Sequence, residues 1–261
     1  YKYSARTWDL KQISSVSSND CLGSNINYHT YKNNIKRTVP KENNQINLSW
    51  LADSDRFGHE GIESKERILF PLKRENTKLV SSDLSELNTI ASKKILEYAS
   101  STTAVMSPQA SCEEMYLFQK ILREKGILNI DHRSKECDFQ YQKNFPIIPS
   151  FDIKLSDIDS MDNIILLNVN ISKEFPILSI YLRNAVKHNK TKIISISTYE
   201  HSENFNTHHS EVLSPNELER YFDTNSINIL STIDNSKKNL IIIGPSTTYL
   251  KNYSNILDSA S

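Results

Sequence analysis

The sequence predicts an α/β protein in which a small β-rich unit precedes an α/β domain with a mainly parallel sheet. Apolar and polar residues alternate before residue 40, which is typical of half-buried strands. In the second half, short continuous apolar runs recur, as expected of parallel strands that are covered on both faces. Helical patterns lie between those runs, and this alternation favours an α/β layer architecture. We therefore predict a linker over residues 1–10, the β-rich unit over 11–70 and the α/β domain over 71–261.

The β-rich unit contains one predicted hairpin, between residues 26 and 39. Ile26, Tyr28 and Thr30 alternate with polar residues, so that one side of the first strand is apolar. The pair Asn33-Asn34 follows, and asparagine tolerates the positive φ that a tight hairpin turn requires. We expect the turn at this pair and an irregular chain elsewhere in the unit.

Two helices are predicted between residues 83 and 126, and each opens with a pair of residues at capping-box spacing. These pairs are Asp83 with Glu86 and Ser111 with Glu114. Apolar residues recur at helical spacing after each pair. Gly126 stands where the second helix, over 112–125, should end. A short strand is predicted between the helices, at 103–107.

The parallel sheet is predicted from three apolar runs, which are Ile164 to Leu167, Lys192 to Ile196 and Leu240 to Ile243. Helices are predicted between them, at Pro176 to His188 and Pro215 to Phe222. Each begins with proline, which is favoured at the first helical position because the N–H that it lacks would have no partner there. Strands and helices therefore alternate to the end of the chain.

Composition excludes several classes of partner. The 261 residues contain 31 Lys and Arg and 31 Asp and Glu, so no overall charge would attract nucleic acid. The longest apolar runs are far shorter than the roughly 20 residues that cross a bilayer, so direct membrane insertion is not expected. Cys21, Cys112 and Cys137 form no Cys-x-x-Cys pair, and we expect free thiols in a reducing compartment.

Several short segments carry a family resemblance. They are Tyr3 to Trp8, Gly23 to Ile26, Ile46-Asn47 and Trp50 to Phe57 near the start, and Ser107 to Glu114, Asn129 to Arg133, and Glu174 to Leu178 with Leu182 to Ala185 further on. The first group resembles the large iron-sulfur subunit of respiratory complex I, although Thr7 stands where that family usually has proline. The second group is similar to the molybdopterin-oxidoreductase-like domain of that subunit. Residues 1–10 would then be the linker from a ferredoxin-like region.

The resemblance implies a cluster-type domain without its cluster. An additional iron-sulfur cluster, found in some members, would be held at Ser17, Asp20, Ser24 and Ala52. Such clusters need thiolates, whereas alanine cannot bind iron and serine is a poor substitute for a soft ligand. Cys21 is one position out of register. We expect no cofactor in this chain, and expect the 2Fe-2S and 4Fe-4S clusters of the family in the ferredoxin-like part outside it.

The family fold also binds a molybdenum cofactor through pterin nucleotides, which makes a stand-alone molybdopterin-dependent oxidoreductase the alternative function. Binding of pyrophosphate needs glycine-rich turns that let backbone N–H groups approach the phosphates. The chain has five glycines, and Gly244 alone directly follows a predicted strand. No residue stands out as a molybdenum ligand or as catalytic, so we do not expect this chain to be an enzyme on its own.

A zinc-binding interaction module is a further alternative. Its candidate ligands are His201, Glu203, His208, His209 and Glu211. Their spacing fits no compact zinc motif, and the segment is predicted to be an exposed loop. Asp131 and Arg133, which flank His132, are predicted to form an ion pair and not a catalytic dyad, because adjacent strand residues point to opposite faces.

The resulting hypothesis is a cofactor-free structural part of the complex I subunit, which supports NADH-to-ubiquinone electron transfer in the peripheral arm. Expected partners are the ferredoxin-like part of the same or a split subunit, the flavoprotein and the quinone-module subunits. Trp8, Arg6 and Trp50 are the interface candidates. We expect the matrix side of the mitochondrial inner membrane, or alternatively the cytoplasmic face of a bacterial membrane. Because Tyr1 is not methionine, we also expect a processed product, a split-gene product or a fragment.

Overall fold

The computed structural model describes residues 4–107, 110–133, 153–221, 233–234 and 236–260. The chain divides into two compact units, one formed by Tyr1–His59 with Glu136–Ser261 and the other by Glu60–Lys135. Each unit is a group of residues that contact one another. The domain boundaries predicted along the chain, after residues 10 and 70, stay a prediction. In the described part, no helix is long and apolar enough to cross a membrane.

The first unit opens with a three-stranded antiparallel sheet, in the order β1-β2-β3. The strands are β1 (Lys11–Val16), β2 (Asn25–Tyr31) and β3 (Asn34–Pro40). The predicted hairpin is confirmed, but the turn lies one residue earlier than expected. Lys32 and Asn33 have φ of 50° and 65°, as a two-residue turn requires, while Asn34 already pairs with Tyr31. After the sheet, the short helix α1 (Asp53–Phe57) begins directly beyond the buried Ala52.

The second unit contains a hairpin, two helices and two short parallel strands. They are β4 (Leu72–Glu75), β5 (Lys78–Ser81), α2 (Leu84–Glu97), β6 (Thr103–Val105), α3 (Cys112–Glu124) and β7 (Asn129–Asp131). Both predicted helices are confirmed. The Asp83 carboxylate accepts a hydrogen bond from the Ser85 N–H, and Ser111 with Glu114 forms a complete capping box. Gly126 follows α3 with φ of +80°.

The parallel sheet of the first unit has the order β10-β9-β8-β11. Its strands are β8 (Asn163–Leu167), β9 (Lys192–Ser197), β10 (His209–Val212) and β11 (Asn239–Ile243). The helices that accompany it are α4 (Ile171–Glu174), α5 (Pro176–Asn184), α6 (Pro215–Tyr221) and α7 (Tyr253–Ala260). The three predicted strands are confirmed. Proline opens α5 as predicted, and wider π-type turns continue this helix over Ala185–Asn189. Phe222, the predicted end of the next helix, lies outside the described residues.

Side chains of β8 alternate between two apolar clusters. Ile164 and Leu166 belong to a cluster that includes residues of α5, whereas Ile165 and Leu167 belong to one that includes residues of α6 and α7. All four are buried, which agrees with the expectation of a strand covered on both faces. The predicted fold class is therefore confirmed.

The segment before α1 packs on the α5 side of this sheet. Leu22, Ile46 and Leu48 contact the first cluster, and the Tyr181 hydroxyl donates a hydrogen bond of 2.9 Å to the Ile46 carbonyl. The loop that carries the predicted cluster positions and the parallel sheet thus share one hydrophobic core.

Candidate functional site

The loop between β1 and β2 contains three of the four predicted cluster positions, and the Asp20 carboxylate organises it. Its Oδ1 accepts hydrogen bonds from the backbone N–H groups of Leu22, Gly23 and Ser24, at 2.9, 2.8 and 3.2 Å. Its Oδ2 accepts a hydrogen bond from the hydroxyl of Ser24, which is fully buried. The loop therefore folds around an internal carboxylate.

Ser17 links the same loop to α1. Its hydroxyl donates to Asp55 Oδ1 at 2.5 Å and accepts hydrogen bonds from the backbone N–H groups of Asn19 and Asp20. Asn19 Nδ2 also donates to Asp55 Oδ1, at 3.2 Å. Ser17 and Asp55 are both buried, so this connection lies inside the unit. Asp55 was not among the predicted residues, because its role depends on a contact 38 residues away in the chain.

Ala52, the fourth position, takes part through its backbone. Its carbonyl accepts hydrogen bonds from the N–H groups of Asp55 and Arg56 at the start of α1, and its methyl group is buried. The four positions thus offer two hydroxyls, a carboxylate and a methyl group. These residues do not fit a cluster that is held by four thiolates.

Cys21 does not compensate for the missing ligands. Burial, followed by the charge of Asp20, raises the pKa of the Cys21 thiol above its ordinary value. Cys21 is also a single thiol, whereas a 4Fe-4S cluster is held by four thiolates. Cys112 is also a free thiol, while Cys137 lies outside the described residues.

A second candidate binding position is the crevice at the carboxyl ends of β8 and β11. The strand order reverses between these two strands, and ligands of open α/β sheets bind at such a point. Here the two following loops touch. A Cβ atom on Gly244 would stand 2.1 Å from the Asn168 carbonyl oxygen, and the Ser246 hydroxyl donates to the same oxygen at 2.8 Å.

Asn168 holds this closed arrangement from the β8 side. It is buried, with a φ of 50°, and its Oδ1 accepts hydrogen bonds from the backbone N–H and the hydroxyl of Thr198. The ends of β8, β9 and β11 are thereby joined to each other. The loops that follow these strands therefore contact one another directly.

In the loop after β8, two backbone N–H groups are hydrogen-bonded to a carboxylate of the chain itself. Ile171 and Ser172 donate their backbone N–H groups to the two Glu203 oxygens, each at 2.9 Å, and the Ser172 hydroxyl donates to Glu203 as well. The Glu203 side chain is 2% exposed, and His201 Nε2 lies 3.4 Å from one of its oxygens. Free N–H groups in this place would suit a phosphate. Because an internal carboxylate takes them, the residues present do not fit a pterin dinucleotide.

Four of the five zinc candidates form two pairs, while the backbone N–H of the fifth, His208, donates to the Ile193 carbonyl. His201 faces Glu203, whereas His209, on β10, lies 3.8 Å from Glu211, which also accepts a hydrogen bond from the Tyr221 hydroxyl. The expectation of an exposed loop is wrong here, because Glu203 is buried and His209–Val212 pairs with β9. Within the described ranges, no group of three or more His, Cys, Asp or Glu side chains could hold a metal ion.

The predicted ion pair around His132 is confirmed. Arg133 donates to both carboxylate oxygens of Asp131, at 2.7 and 3.0 Å. These hydrogen bonds, with those from the backbone N–H groups of Arg133 and His132, hold the pKa of Asp131 well below its usual range. Such a pair anchors the end of β7.

The interface candidates are exposed. Trp8 is 77% exposed and Trp50 is 58% exposed, and the Arg6 guanidinium lies 5.4 Å from the centre of the Trp8 ring. Neither tryptophan belongs to either hydrophobic core cluster. Their participation in an interface stays a prediction.

Two family models match the chain. The model described as "Molybdopterin oxidoreductase" matches residues 67–261, and the model described as "NADH-ubiquinone oxidoreductase NDSU1/NuoG-like, 4Fe-4S domain" matches residues 10–60. Together they cover the α/β region and the loop that contains Ser17, Asp20 and Ser24.

Individual relatives agree with these matches. The chain is 27% identical over 197 residues to an NADH-quinone oxidoreductase subunit of Rickettsia felis, which is 75% of this chain and 29% of that protein. It is 25% identical over 262 residues to "NADH-ubiquinone oxidoreductase 75 kDa subunit" of Reclinomonas americana, which is 94% of this chain and 37% of that protein. The protein of that name in Dictyostelium discoideum is 26% identical over 257 residues, which is 94% of this chain and 36% of that protein. The chain thus spans 29 to 37% of the length of these curated relatives.

Proposed function

Because the chain belongs to the molybdopterin oxidoreductase family and carries a NuoG-like 4Fe-4S domain at residues 10–60, we propose that it is a cofactor-free structural part of the large iron-sulfur subunit of respiratory complex I. The relatives named above are subunits of NADH-quinone or NADH-ubiquinone oxidoreductases. In this proposal the chain supports electron transfer from NADH to ubiquinone in the peripheral arm. It is not an enzyme on its own.

One observation carries the cofactor-free proposal, and it is made both in the loop of Asp20 and in the loop after β8. Backbone N–H groups in each loop are hydrogen-bonded to a carboxylate of the chain itself, Asp20 in one loop and Glu203 in the other. A cluster would need thiolates where Ser17, Asp20, Ser24 and Ala52 stand. A pterin dinucleotide would need space and free N–H groups beside Gly244. Neither requirement is met, which supports a structural role.

The partners in this proposal follow from its place in the complex. The 2Fe-2S and 4Fe-4S clusters belong to a ferredoxin-like part outside this chain, in the same or a split subunit. Residues 1–10 link to that part, 11–70 form the degenerate cluster domain and 71–261 the molybdopterin-oxidoreductase-like domain. The flavoprotein and the quinone-module subunits complete the surroundings, on the matrix side of the mitochondrial inner membrane or the cytoplasmic face of a bacterial one.

Co-purification tests the proposal. The tagged chain, recovered from gently solubilised membranes of its source, is expected to bring with it the flavoprotein and quinone-module subunits, identified by mass spectrometry. On a native gel it should migrate with NADH dehydrogenase activity. A chain that never recovers these subunits, or that carries stoichiometric molybdenum when isolated alone, would contradict the proposal and favour the stand-alone oxidoreductase.

A further inference from the structure

A groove runs between the segment before α1 and the exposed side of α5. Its volume is about 460 Å³, which lies within the range of roughly 300–1,000 Å³ that is usual for ligand pockets. The floor is mostly aliphatic, with Leu48, Leu51, Ile177 and Ile180. The groove lies entirely within the first compact unit.

Trp50 lines one side of the groove, and its backbone is held by hydrogen bonds although its side chain is exposed. The fully buried Asn47 accepts a hydrogen bond from the Trp50 N–H through its carbonyl, at 2.8 Å, and donates from Nδ2 to the Trp50 carbonyl, at 3.0 Å. Tyr181, on α5, binds the neighbouring Ile46 carbonyl, so the two walls of the groove are tied together. Since a fixed backbone reduces the entropy lost on binding, Trp50 is arranged as an anchor.

The opposite wall is positively charged. Arg183 and Lys187 are four residues apart, both line the groove, and both are exposed. No aspartate or glutamate lines the groove, and neither cation forms an ion pair with a residue that the structure describes. Cations near a helix end interact favourably with the helix dipole, which accounts for the charges alone. The helix dipole does not explain why an exposed tryptophan with a hydrogen-bonded backbone lies beside an aliphatic surface.

We propose that this groove docks a partner polypeptide that presents an apolar side chain next to a carboxylate. The apolar side chain would cover the aliphatic floor against Trp50, and the carboxylate would pair with Arg183 and Lys187. Tryptophan and arginine are the residue types that most often dominate binding energy at interfaces. The proposal deepens the proposed function by giving the chemistry of one partner, but its test does not require the complex.

The test uses the whole chain and two synthetic helical peptides, one with leucines on one face and glutamates on the other, and a twin with lysines in place of the glutamates. Because the chain has two tryptophans, Trp8→Phe leaves Trp50 as the sole indole fluorophore. The glutamate peptide is expected to shift the Trp50 emission to the blue with saturation. The lysine peptide should leave it unchanged.

Charge reversal at Arg183 and Lys187 tests whether the groove distinguishes the two peptides by their charge. Arg183→Glu with Lys187→Glu should weaken binding of the glutamate peptide by about tenfold or more and allow the lysine peptide to bind. The matched control, Lys173→Glu with Lys192→Glu, changes the net charge equally at two exposed lysines outside the groove and should leave both affinities nearly unchanged.

Three outcomes would overturn the proposal. They are equal binding of the two peptides, equal effects of the two double variants, and self-association in sedimentation experiments that the Arg183 and Lys187 reversal abolishes. The last would make the groove a contact between two copies of the chain. Binding of the glutamate peptide without co-purification of complex I subunits would instead contradict the proposed function. The proposal that the groove docks a polypeptide would still be supported.

Discussion

Asp20 and Glu203 stabilise their loops in the same way. Each accepts hydrogen bonds from consecutive backbone N–H groups and from one serine hydroxyl, Ser24 in the first loop and Ser172 in the second. Hydrogen bonds to a carboxylate are roughly twice as strong as those between neutral groups. Both loops therefore hold their shape through an internal carboxylate, without an external anion.

Replacing Asp20 tests this at the first loop. Asp20→Ala should lower the free energy of unfolding by about 2–4 kcal/mol, because three backbone N–H groups and the buried Ser24 hydroxyl lose their acceptor. Urea denaturation followed by circular dichroism measures the change. Asp9→Ala, at an exposed position, serves as the control and should be neutral. Equal stabilities of the two variants would show that the carboxylate does not organise the loop.

Replacing Glu203 tests the second loop. Glu203→Gln keeps the shape but removes the charge and one acceptor, so at least one of the N–H groups of Ile171 and Ser172 loses its partner. We expect a loss of about 1.5–3 kcal/mol, measured by the same denaturation. Glu200→Gln, at an exposed position in the same segment, should change the stability little. A Glu203→Gln chain as stable as this control contradicts the role assigned to the carboxylate.

At the scale of elements, the closed crevice depends on the loops after β8 and β11. Gly244→Ala is expected to destabilise the first unit by about 1–3 kcal/mol or more, because the new methyl group meets the Asn168 carbonyl and the backbone must shift. Gly61→Ala is the matched control, since nothing lies within 4 Å of the position of its Cβ atom. Thermal unfolding of both variants checks the difference. An unaffected Gly244→Ala chain would mean that the loops can separate at little cost.

Which elements the sequence predicts depends on where their determinants lie. The starts of α2 and α3 are set by capping residues a few positions away, and β8 by five consecutive buried residues, so local patterns suffice. The strand β1 is exposed along its length and β10 is short and polar, so only their partner strands define them. The hairpin turn was predicted one residue late because lysine at position 32 adopts a conformation that asparagine would favour more.

The candidate sites show the same division. Resemblance to the family leads to the prediction that Ser17, Asp20, Ser24 and Ala52 are cluster positions, and this assignment stays a prediction. The sequence does not identify Glu203, because that carboxylate reaches the N–H groups of residues more than 30 positions earlier in the chain. In the sequence, Glu203 instead stands among histidines and resembles a zinc ligand. Only the folded chain shows that it is buried and already bonded.

For the whole molecule, loops at two candidate binding positions are hydrogen-bonded to carboxylates of the chain itself. The strand order β10-β9-β8-β11 still creates the point at which ligands of such sheets bind. Gly244, Asn168 and Glu203 close that point, and the Asp20 loop forms one core with the sheet through Leu22. In the proposed function, a chain built in this way is a scaffold on which other subunits assemble.

Anaerobic reconstitution tests the central claim most directly. The purified chain is incubated with ferrous iron, sulfide and reductant, desalted, and analysed for iron, molybdenum and visible absorbance. We predict a colourless protein with far less than one iron and no molybdenum per chain. About four irons per chain with the broad visible absorbance of a cluster, or stoichiometric molybdenum in protein isolated from its source, would contradict the account.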